Sequence, residues 1–266
     1  MPIIDADQWD RQRRIKGWNQ QAVETSRCAV LGAGALGNEV VKNLVQLGVR
    51  ELSIVDYDKV VPANLNRCVF FSHADAQSGA LKASVLAREV KRINPSAIVT
   101  PILKKVEELD EKFFSKFEFI FTCLDNLGGR LHANSHSYGK STLIDGGTTG
   151  FSGKVQVVRS PSPCLECAVS SSDYQLLWKK YSCTGDLLEF VDPKMPAVAT
   201  TTSVIAALQA NEFVKLSHKL AGGEEGKFAF PTNDLTGKYY FYNGLTGESK
   251  VFSVEKRRNC PVHAEK

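Results

Sequence analysis

The chain has 266 residues, of which 43% are hydrophobic and 23% charged, and this composition is typical of a globular protein rather than a disordered or membrane-embedded one. Its 33 basic and 29 acidic residues are spread along the chain without a basic block, so we expect no nucleic-acid partner. No segment reaches the roughly 18 consecutive apolar residues of a membrane span, and residues 1–14 have no signal-peptide core. We therefore predict a cytoplasmic protein without a membrane partner.

The first half of the chain alternates between predicted strands and predicted helices. Residues 7–23 mix charges with Trp9, Ile15 and Trp18, which predicts an amphipathic helix or pair of helices. Short apolar runs then follow, separated by stretches of helical period. The predicted strands are CAVLG, LSIVD, AIVTPIL, FIFTCLD and STLIDGG, and the predicted helices begin at Ala35, Gly79, Asp110 and Leu127. This order predicts an α/β fold with a doubly wound, mostly parallel, Rossmann-like sheet and helices on both faces.

The alternation stops after Gly147, where a strand-like KVQVV precedes a segment rich in Ser, Pro and Cys. Residues 178–193 are predicted to form an irregular loop with a short helical piece. Residues 197–220 are predicted to form a long helix whose apolar face carries Val204, Ala207, Leu208 and Val214. The tail KYYFYNGLTGESKVFSV predicts two strands around a Gly-containing turn, which would make a smaller antiparallel extension.

These patterns divide the chain into segments of different predicted function. They are an N-terminal helical arm at 1–26, a nucleotide-binding core at 27–163, a crossover segment with half of a metal site at 164–196, and a long helix with tail strands and the second half-site at 197–266.

Gly32, Gly34 and Gly37 form a G-x-G-x-x-G pattern between the first predicted strand and the following helix. In that context the backbone turns tightly and a phosphate can approach the helix N-terminus. Asp56 ends the second predicted strand, where a carboxylate can accept hydrogen bonds from a ribose. These features alone also fit a NAD-dependent oxidoreductase, which remains an alternative.

Further polar residues favour a nucleoside triphosphate over a dinucleotide. Asp125 follows the fourth predicted strand, and the carboxyl ends of parallel strands meet at one edge of a sheet, so Asp56 and Asp125 should converge there. Cations and a magnesium-binding aspartate are suited to phosphoryl or adenylyl transfer. Alternatively, the cations are solvated surface charges and Asp125 caps a helix. The other polar candidates, on DYDKVVPANLNRC and the next helix start, are Asp58, Asn64, Arg67 and Lys82.

The cysteines include two candidate ligand pairs. Cys164 and Cys167 are separated by two residues, as are Cys260 and His263, and such spacing allows both members of a pair to bind one tetrahedral zinc ion. We predict a structural zinc site that ties the C-terminal tail to the core. The alternative is that these are unpaired surface residues.

Four cysteines lie outside these ligand pairs. Cys183 lies next to two lysines in KKYSCTGDLLEF, and nearby positive charge increases the thiolate fraction that a nucleophile requires. Alternatively, Cys183 is a packing residue. Cys28 and Cys123 lie in apolar runs and are predicted to be core residues. Cys68 lies close to the predicted phosphate site and is the rival candidate for a reactive thiol.

These segments together resemble the ubiquitin-activating-enzyme-like adenylyltransferases. That family includes bacterial enzymes that activate sulfur-carrier proteins for molybdopterin and thiamine synthesis, and eukaryotic activating enzymes for ubiquitin-like modifiers. The resemblance covers most of the chain. Its matching segments are DRQRRIKGWNQQAV, VLGAGALGNEVVKNLVQLGVRELSIVDYDKVVPANLNRC, GALKA, CLDNLGGR, IDGGTTGFSGKVQVV, CLEC, MPAVATTTSVIAALQANEFVKL and RRNCPVH.

The resemblance implies a chemistry and a set of roles. It implies binding of ATP with Mg²⁺, attack on the α-phosphate by the C-terminal glycine carboxylate of a carrier protein, and release of pyrophosphate. It also implies that Arg11 reaches the phosphates of a partner protomer in a homodimer. In the family two C-x-x-C pairs bind Zn²⁺, and His263 departs from that pattern. By motif, Asp56 would hold the ribose, Asn64, Arg67 and Lys82 the phosphates and Asp125 the magnesium ion, with Asp58 and Asn126 beside them.

The carrier would be a ubiquitin-like or sulfur-carrier protein that ends in Gly-Gly. In the family the crossover segment carries the cysteine that accepts the carrier as a thioester, which here would be Cys183. The carrier would then pass to a conjugating enzyme or to sulfur transfer. A non-catalytic carrier-binding protein of the same fold remains an alternative, as does an ATP-dependent enzyme for a small molecule, such as a cyclic-carbamoyl-tRNA dehydratase.

Overall fold

One sheet of eight strands runs through the chain, for which the computed structural model describes residues 5, 7–169, 196–222 and 233–263. The spatial order of the strands is β3-β2-β1-β4-β5-β6-β7-β8. The strands are β1 (Arg27–Leu31), β2 (Glu51–Val55), β3 (Ile98–Ile102), β4 (Phe119–Thr122), β5 (Thr142–Thr149), β6 (Ser152–Val158), β7 (Lys238–Asn243) and β8 (Glu248–Ser253).

Helices cover both faces of this sheet. α3, α5 and α8 pack on one face, and α6 and α7 lie on the other. No helix within the described ranges has the length and hydropathy needed to cross a bilayer. The helices are α1 (Asp10–Arg13), α2 (Gln20–Glu24), α3 (Ala35–Leu47), α4 (His73–Ser78), α5 (Lys82–Ile93), α6 (Glu111–Phe114), α7 (Leu127–Ser137) and α8 (Ala199–Ala221).

The pairing of neighbouring strands changes from parallel to antiparallel at β5. β3, β2, β1, β4 and β5 are parallel, and β5 to β8 are antiparallel neighbours. The chain passes outward from β1 to β3 and then returns to β4 on the other side of β1, so β1 and β4 flank the point where the winding reverses. The predicted doubly wound α/β fold with an antiparallel extension is confirmed.

The central parallel strands β1 and β4 are mostly apolar because both of their faces are covered. Every residue of β4 is buried, as are the last four residues of β1. The core prediction for Cys28 and Cys123 is confirmed, since both are buried and burial raises the pKa of each thiol. Residues 178–193, with Cys183, lie outside the described residues.

The predicted helix start at Gly79 is wrong. Gly79 instead ends α4, with the left-handed φ of 61° that follows many helices. α4 begins after Ser72, whose side chain accepts a hydrogen bond from the Asp75 N–H while Asp75 bonds back to the Ser72 N–H. The crossover helix α5 begins three residues later than predicted, at Lys82.

The predicted apolar face of the long helix is only partly right, because Leu208 and Val214 are half-buried against the core but Ala207 is not. Ala207 is exposed, whereas Ile205, Phe213 and Leu216 are fully buried on α8. The buried stripe includes the polar Gln209, whose Nε2 donates to the carbonyl oxygens of Ile144 at 2.9 Å and Thr122 at 3.3 Å. Because polar residues occupy part of the buried stripe, hydrophobic period alone locates only part of it.

His218 connects α8 to the N-terminal helices. Its Nε2 accepts a hydrogen bond from the Asn19 N–H at 2.9 Å, and its Nδ1 donates to the Val214 carbonyl at 2.8 Å. Asn19 in turn caps α2, since its side chain accepts from the Ala22 N–H at 3.2 Å. Only a neutral ring can donate at one nitrogen and accept at the other. Burial lowers the pKa of His218 and so favours that neutral form.

This arrangement predicts a loss of stability in mild acid. The ordinary histidine pKa is about 6.5, so between this value and the lowered pKa of the fold the unfolded chain binds more protons. The contribution of neutral His218 is fully present above about pH 6.5 and is lost as pH falls through the lowered pKa. We expect the free energy of unfolding, measured by urea titration, to fall more steeply below pH 6.5 for wild type than for His218→Gln, by as much as roughly 1 kcal/mol per pH unit. Equal slopes for the two proteins would contradict this.

Candidate functional site

The glycine-rich loop after β1 is pressed against the loop after β4. At Gly32, with φ of 97°, an added Cβ would lie 2.6 Å from the Cys123 carbonyl oxygen. At Gly37 an added Cβ would lie 1.9 Å from the Gly32 carbonyl oxygen, so α3 also approaches this loop closely. Gly34 differs, because nothing lies within 4 Å of its Cβ position. The backbone at Gly34 is therefore open to a ligand at the start of α3.

A cavity of about 1020 Å³ lies beside this loop, at the carboxyl ends of β1, β2 and β4. Most of the predicted site residues line it together. Gly37 lies behind the wall in α3, and Arg11 does not line the cavity of its own chain. The predicted residues that line it are Gly32, Gly34, Asp56, Asp58, Asn64, Arg67, Lys82, Asp125 and Asn126.

Asp56 joins the ends of β1 and β2. Its Oδ2 accepts a hydrogen bond from the Ala33 N–H at 2.7 Å, and its Oδ1 accepts from the Asp58 N–H at 2.8 Å. Burial raises the pKa of the Asp56 carboxyl, while the charge of Lys82 and the two N–H groups lower it. Each carboxylate oxygen keeps a lone pair, so Asp56 can accept further hydrogen bonds from a ligand hydroxyl.

Two cations that follow β2 in the sequence, Arg67 and Lys82, line the same cavity. Lys82 begins α5, is 12% exposed, and pairs with Asp58 at 2.7 Å between Nζ and Oδ2. Arg67 donates to the Ala63 carbonyl and to Asn66 Oδ1, the latter at 2.8 Å. Both side chains reach the cavity, where they can neutralise a polyphosphate.

Asn64 is held by the turn that precedes Arg67. It is 8% exposed, and its Oδ1 accepts from the Val61 N–H at 3.0 Å across the short 3₁₀ turn Pro62–Asn64. The local turn therefore fixes the amide at the cavity wall.

Asp125 and Asn126 lie at the N-terminus of α7 and differ in their contacts. Asn126 is the N-cap, and its Oδ1 accepts from the Gly129 N–H at 2.7 Å. Asp125 is exposed, and among the described residues its carboxylate makes no hydrogen bond or ion pair. The alternative that Asp125 caps the helix is wrong, because Asn126 does so. An unpaired carboxylate at the cavity is a ligand suited to Mg²⁺.

Sequence reasoning missed an ion pair at the cavity. Arg130 of α7 donates from Nη1 to both carboxylate oxygens of Asp145, at 2.9 and 3.1 Å, and from Nε to the Leu124 carbonyl at 3.0 Å. Asp145 is 1% exposed and lies on β5. Because Asp145 lies next to β4 at the same sheet edge, the strand-end rule that selected Asp56 and Asp125 could have found it. Lys104, Lys105 and Lys154 also line the cavity.

A second cluster, which includes residues near the C-terminus, lies on the face of the sheet that α6 and α7 cover. The ligand atoms of Cys164, Cys167, Cys260 and His263 all lie within 4.8 Å of one another. The Sγ atoms of Cys164 and Cys260 are 3.5 Å apart, and Cys167 Sγ is 3.0 Å from His263 Nε2. A tetrahedral zinc site with Zn–S bonds of about 2.3 Å separates its sulfur atoms by about 3.8 Å. The donor set and its spacing therefore fit zinc.

Burial acts in opposite directions on two ligands of this cluster. Burial is the main effect that raises the pKa of Cys164, to about 12. Burial also lowers the pKa of His263, which keeps its imidazole in the neutral form that binds metals. Metal binding would displace the thiol protons.

Cys68 is not poised as a nucleophile. It is 3% exposed, and burial raises its pKa to about 11 even though Arg67 and Lys82 lower it. Nearly all of this residue is the unreactive thiol at neutral pH. The rival role assigned to Cys68 is therefore disfavoured.

The chain is similar to known proteins over most of its length. A model of the ThiF family matches residues 9–262, which is most of the chain. Among curated proteins, the chain is 27% identical over 309 residues to a Nedd8-activating enzyme E1 catalytic subunit of Drosophila melanogaster, covering 88% of this chain and 66% of that protein. It is 32% identical over 149 residues to SUMO-activating enzyme subunit 2 of Dictyostelium discoideum, covering 54% and 22%. The chain thus spans less than two thirds of the length of these relatives.

Solved structures share the fold across nearly the whole chain. A crystal structure of E. coli MccB with MccA-N7isoASN has a TM-score of 0.76 at 19% identity, covering 99% of this chain and 76% of that one. MccB with ATP gives a TM-score of 0.75 at 19% identity, covering 97% and 75%. PaaA gives 0.67 at 18% identity, covering 89% and 75%.

The cysteine cluster predicts bound metal in the purified protein. We expect about one zinc ion per chain by elemental analysis. Cys260→Ser should lose the zinc and melt several degrees lower, because it disconnects the C-terminal tail from the loop at Cys164. Cys28→Ala is the matched control, since it changes a buried cysteine in β1 and should keep the zinc. A metal-free wild type as stable as the zinc-loaded protein would contradict the site.

Proposed function

We propose that this chain, which belongs to the ThiF family, uses ATP to adenylate the C-terminal glycine of a ubiquitin-like carrier protein. The observation that supports this best is the composition of one cavity. The open backbone at Gly34, the half-buried carboxylate of Asp56, the cations Arg67 and Lys82 and the unpaired Asp125 line it together. The relatives named as activating enzymes for Nedd8 and SUMO support the choice of carrier.

The nucleotide would lie across the ends of β1, β2 and β4. Asp56 would bind the ribose hydroxyls, and the start of α3 at Gly34 would face a phosphate. Asn64, Arg67 and Lys82 would hold the remaining phosphate oxygens. The carboxylate of Asp125 would bind Mg²⁺, which when present supplies charge neutralisation at the polyphosphate.

Adenylation at this site needs no general base. The glycine carboxylate is already ionised at neutral pH. One of its oxygens attacks the α-phosphorus, the bond from that phosphorus to the oxygen bridging toward the β-phosphate breaks, and pyrophosphate leaves. The product is an acyl-adenylate. The cations Arg67 and Lys82 stabilise negative charge on the phosphates as that bond breaks.

The carrier tail would enter along the hairpin of β5 and β6. From the ion pair of Arg130 the cavity continues past Thr148, Ser152 and Lys154 to Phe241 of β7. Here the Gly147 backbone lies close to Arg130, since an added Cβ would be 3.0 Å from the guanidinium. A tail that ends in Gly-Gly has no side chains at its last residues and would fit such a passage.

A homodimer would complete each cavity. Arg11 is exposed, and its guanidinium pairs with Asp5 of its own chain at 2.7 and 3.0 Å instead of reaching its own cavity. This placement supports a role for Arg11 at the phosphates of the partner subunit. The ion pair with Asp5 is exposed and contributes little stability, so Arg11 can exchange it for a phosphate.

Pyrophosphate exchange into ATP tests the proposal directly. The enzyme, Mg²⁺ and labelled pyrophosphate would be incubated with candidate ubiquitin-like proteins that end in Gly-Gly. The control is the same carrier without its last glycine. Exchange that requires the terminal glycine supports carrier adenylation. Exchange with no carrier but with a small carboxylic acid, or no exchange alongside tight NADH binding, would overturn it.

Asp125→Asn should abolish exchange while the protein stays folded. The substitution keeps the shape of the side chain and removes the charge that would hold Mg²⁺, so we expect exchange to fall by about 100-fold or more. Glu51→Gln is the matched control, because it removes an exposed carboxylate at the opposite end of β2 and should leave exchange unchanged. Exchange like that of wild type in Asp125→Asn would contradict the magnesium role.

A thioester step would follow on Cys183. The thiolate would attack the acyl carbon of the adenylate, AMP would leave, and the carrier would stay attached by a thioester. We expect Cys183→Ala to keep pyrophosphate exchange and to lose a carrier adduct that is cleaved by thiols, measured by non-reducing gel electrophoresis. Cys68→Ala is the control and should keep the adduct, since Cys68 is buried. An adduct that survives Cys183→Ala would contradict the assignment.

A further inference from the structure

Asn134 of α7 lies beside the cysteine cluster and is fully buried. Its Oδ1 accepts a hydrogen bond from the Leu165 N–H at 3.0 Å. Leu165 directly follows the first ligand of the cluster, Cys164, so this bond fixes the amide group against the metal-binding turn Leu165–Ala168.

The other end of the same amide has no partner. Asn134 Nδ2 is buried and makes no hydrogen bond among the described residues. An unpaired buried donor is unfavourable, and native structures rarely leave one without an acceptor. The side chain therefore requires an acceptor for its Nδ2–H.

Cys164 Sγ is the atom that can become this acceptor. The bond from Asn134 Oδ1 to the Leu165 N–H places the amide beside the preceding residue, Cys164, which is fully buried. A protonated sulfur is a weak acceptor, whereas a metal-bound thiolate is a strong one. The cluster already has one bond of this kind, since the Arg257 N–H donates to Cys167 Sγ at 3.5 Å.

We propose that Asn134 is a positioning residue of the zinc site, whose Nδ2–H donates to the zinc-bound thiolate of Cys164. This inference rests on the proposed zinc ion. One amide would then join the metal loop twice, by its oxygen at Leu165 and by its nitrogen at Cys164, and would hold α7 against the zinc site.

A direct measurement uses the wild-type protein loaded with ¹¹³Cd in place of zinc. We expect a correlation between the cadmium nucleus and a side-chain amide proton of Asn134, transmitted through the hydrogen bond and the Cys164 sulfur. Couplings to the cysteine β-protons in the same spectrum would establish that the metal is bound. A spectrum with those couplings but none to Asn134 would overturn the inference. A protein that takes up neither zinc nor cadmium would instead overturn the zinc site on which it rests.

Variants separate the two ends of the amide. Asn134→Asp keeps an oxygen for the Leu165 N–H and loses the donor, and Asn134→Ala loses both. We expect zinc affinity, measured by competition with a chromophoric chelator, to fall by about 10- to 100-fold in both variants. His136→Ala is the control on the same helix, since its ring contacts are with Phe114 and His132, and it should bind zinc like wild type. Affinity like that of wild type in Asn134→Asp would show that only the bond to Leu165 matters and would overturn the proposal.

The cobalt form supplies a spectroscopic readout. Loss of an N–H···S bond makes a thiolate a stronger donor, so the sulfur-to-cobalt charge-transfer band should move to longer wavelength in Asn134→Ala. A merely structural role for Asn134 would lower affinity without moving this band. Measurements of zinc and cobalt binding are independent of adenylation, so failure of the proposed enzyme activity would leave this test intact.

Discussion

The parallel pairing of β1 with β4 is the constraint on which the rest of the structure depends. It brings the loops that follow the two strands into contact, to the point that Gly32 has no room for a side chain against the Cys123 carbonyl. Because all parallel strands end at this edge, residues far apart in sequence share one cavity. The chemistry of the site follows from this convergence more than from any single motif. Asp56, Lys82 and Asp125 meet there because the winding of the sheet reverses between β1 and β4.

The architecture could be predicted because its signals are local and strong. Buried parallel strands are apolar along their length, and the glycines follow the first of them. The predictions failed where polar residues begin a helix or lie buried in the core. Ser72 and Asp75 form the capping box at which α4 begins, so Gly79 ends α4 and does not start the next helix. Gln209 lies in the buried stripe of α8 because it bonds strand carbonyls, so hydrophobic period alone located only part of that stripe.

The residues of the candidate site were also predictable only in part. Residues at strand ends and in motifs could be assigned to one crevice from the sequence. Arg130 and Asp145 could have been found by extending the strand-end rule to β5, since both lie in short strings that were already noted. Asn134 could not, because its partner Leu165 lies 31 residues further along the chain and no sequence pattern links the two. Only the folded structure reveals that its amide nitrogen lacks an acceptor.

α7 connects the two sites. Its N-terminus carries Asp125 and Asn126 at the cavity, and Arg130 one turn later pairs with Asp145. Its C-terminal half faces the cysteine cluster through Asn134, and the Tyr138 ring that follows lies 5.2 Å from the His263 ring. Helices are stiff over this length, so whatever fixes one end also restrains the other. Zinc bound at the cysteine cluster would therefore restrain, through α7, the carboxylate proposed to bind magnesium, even though none of the four ligand residues lines the cavity.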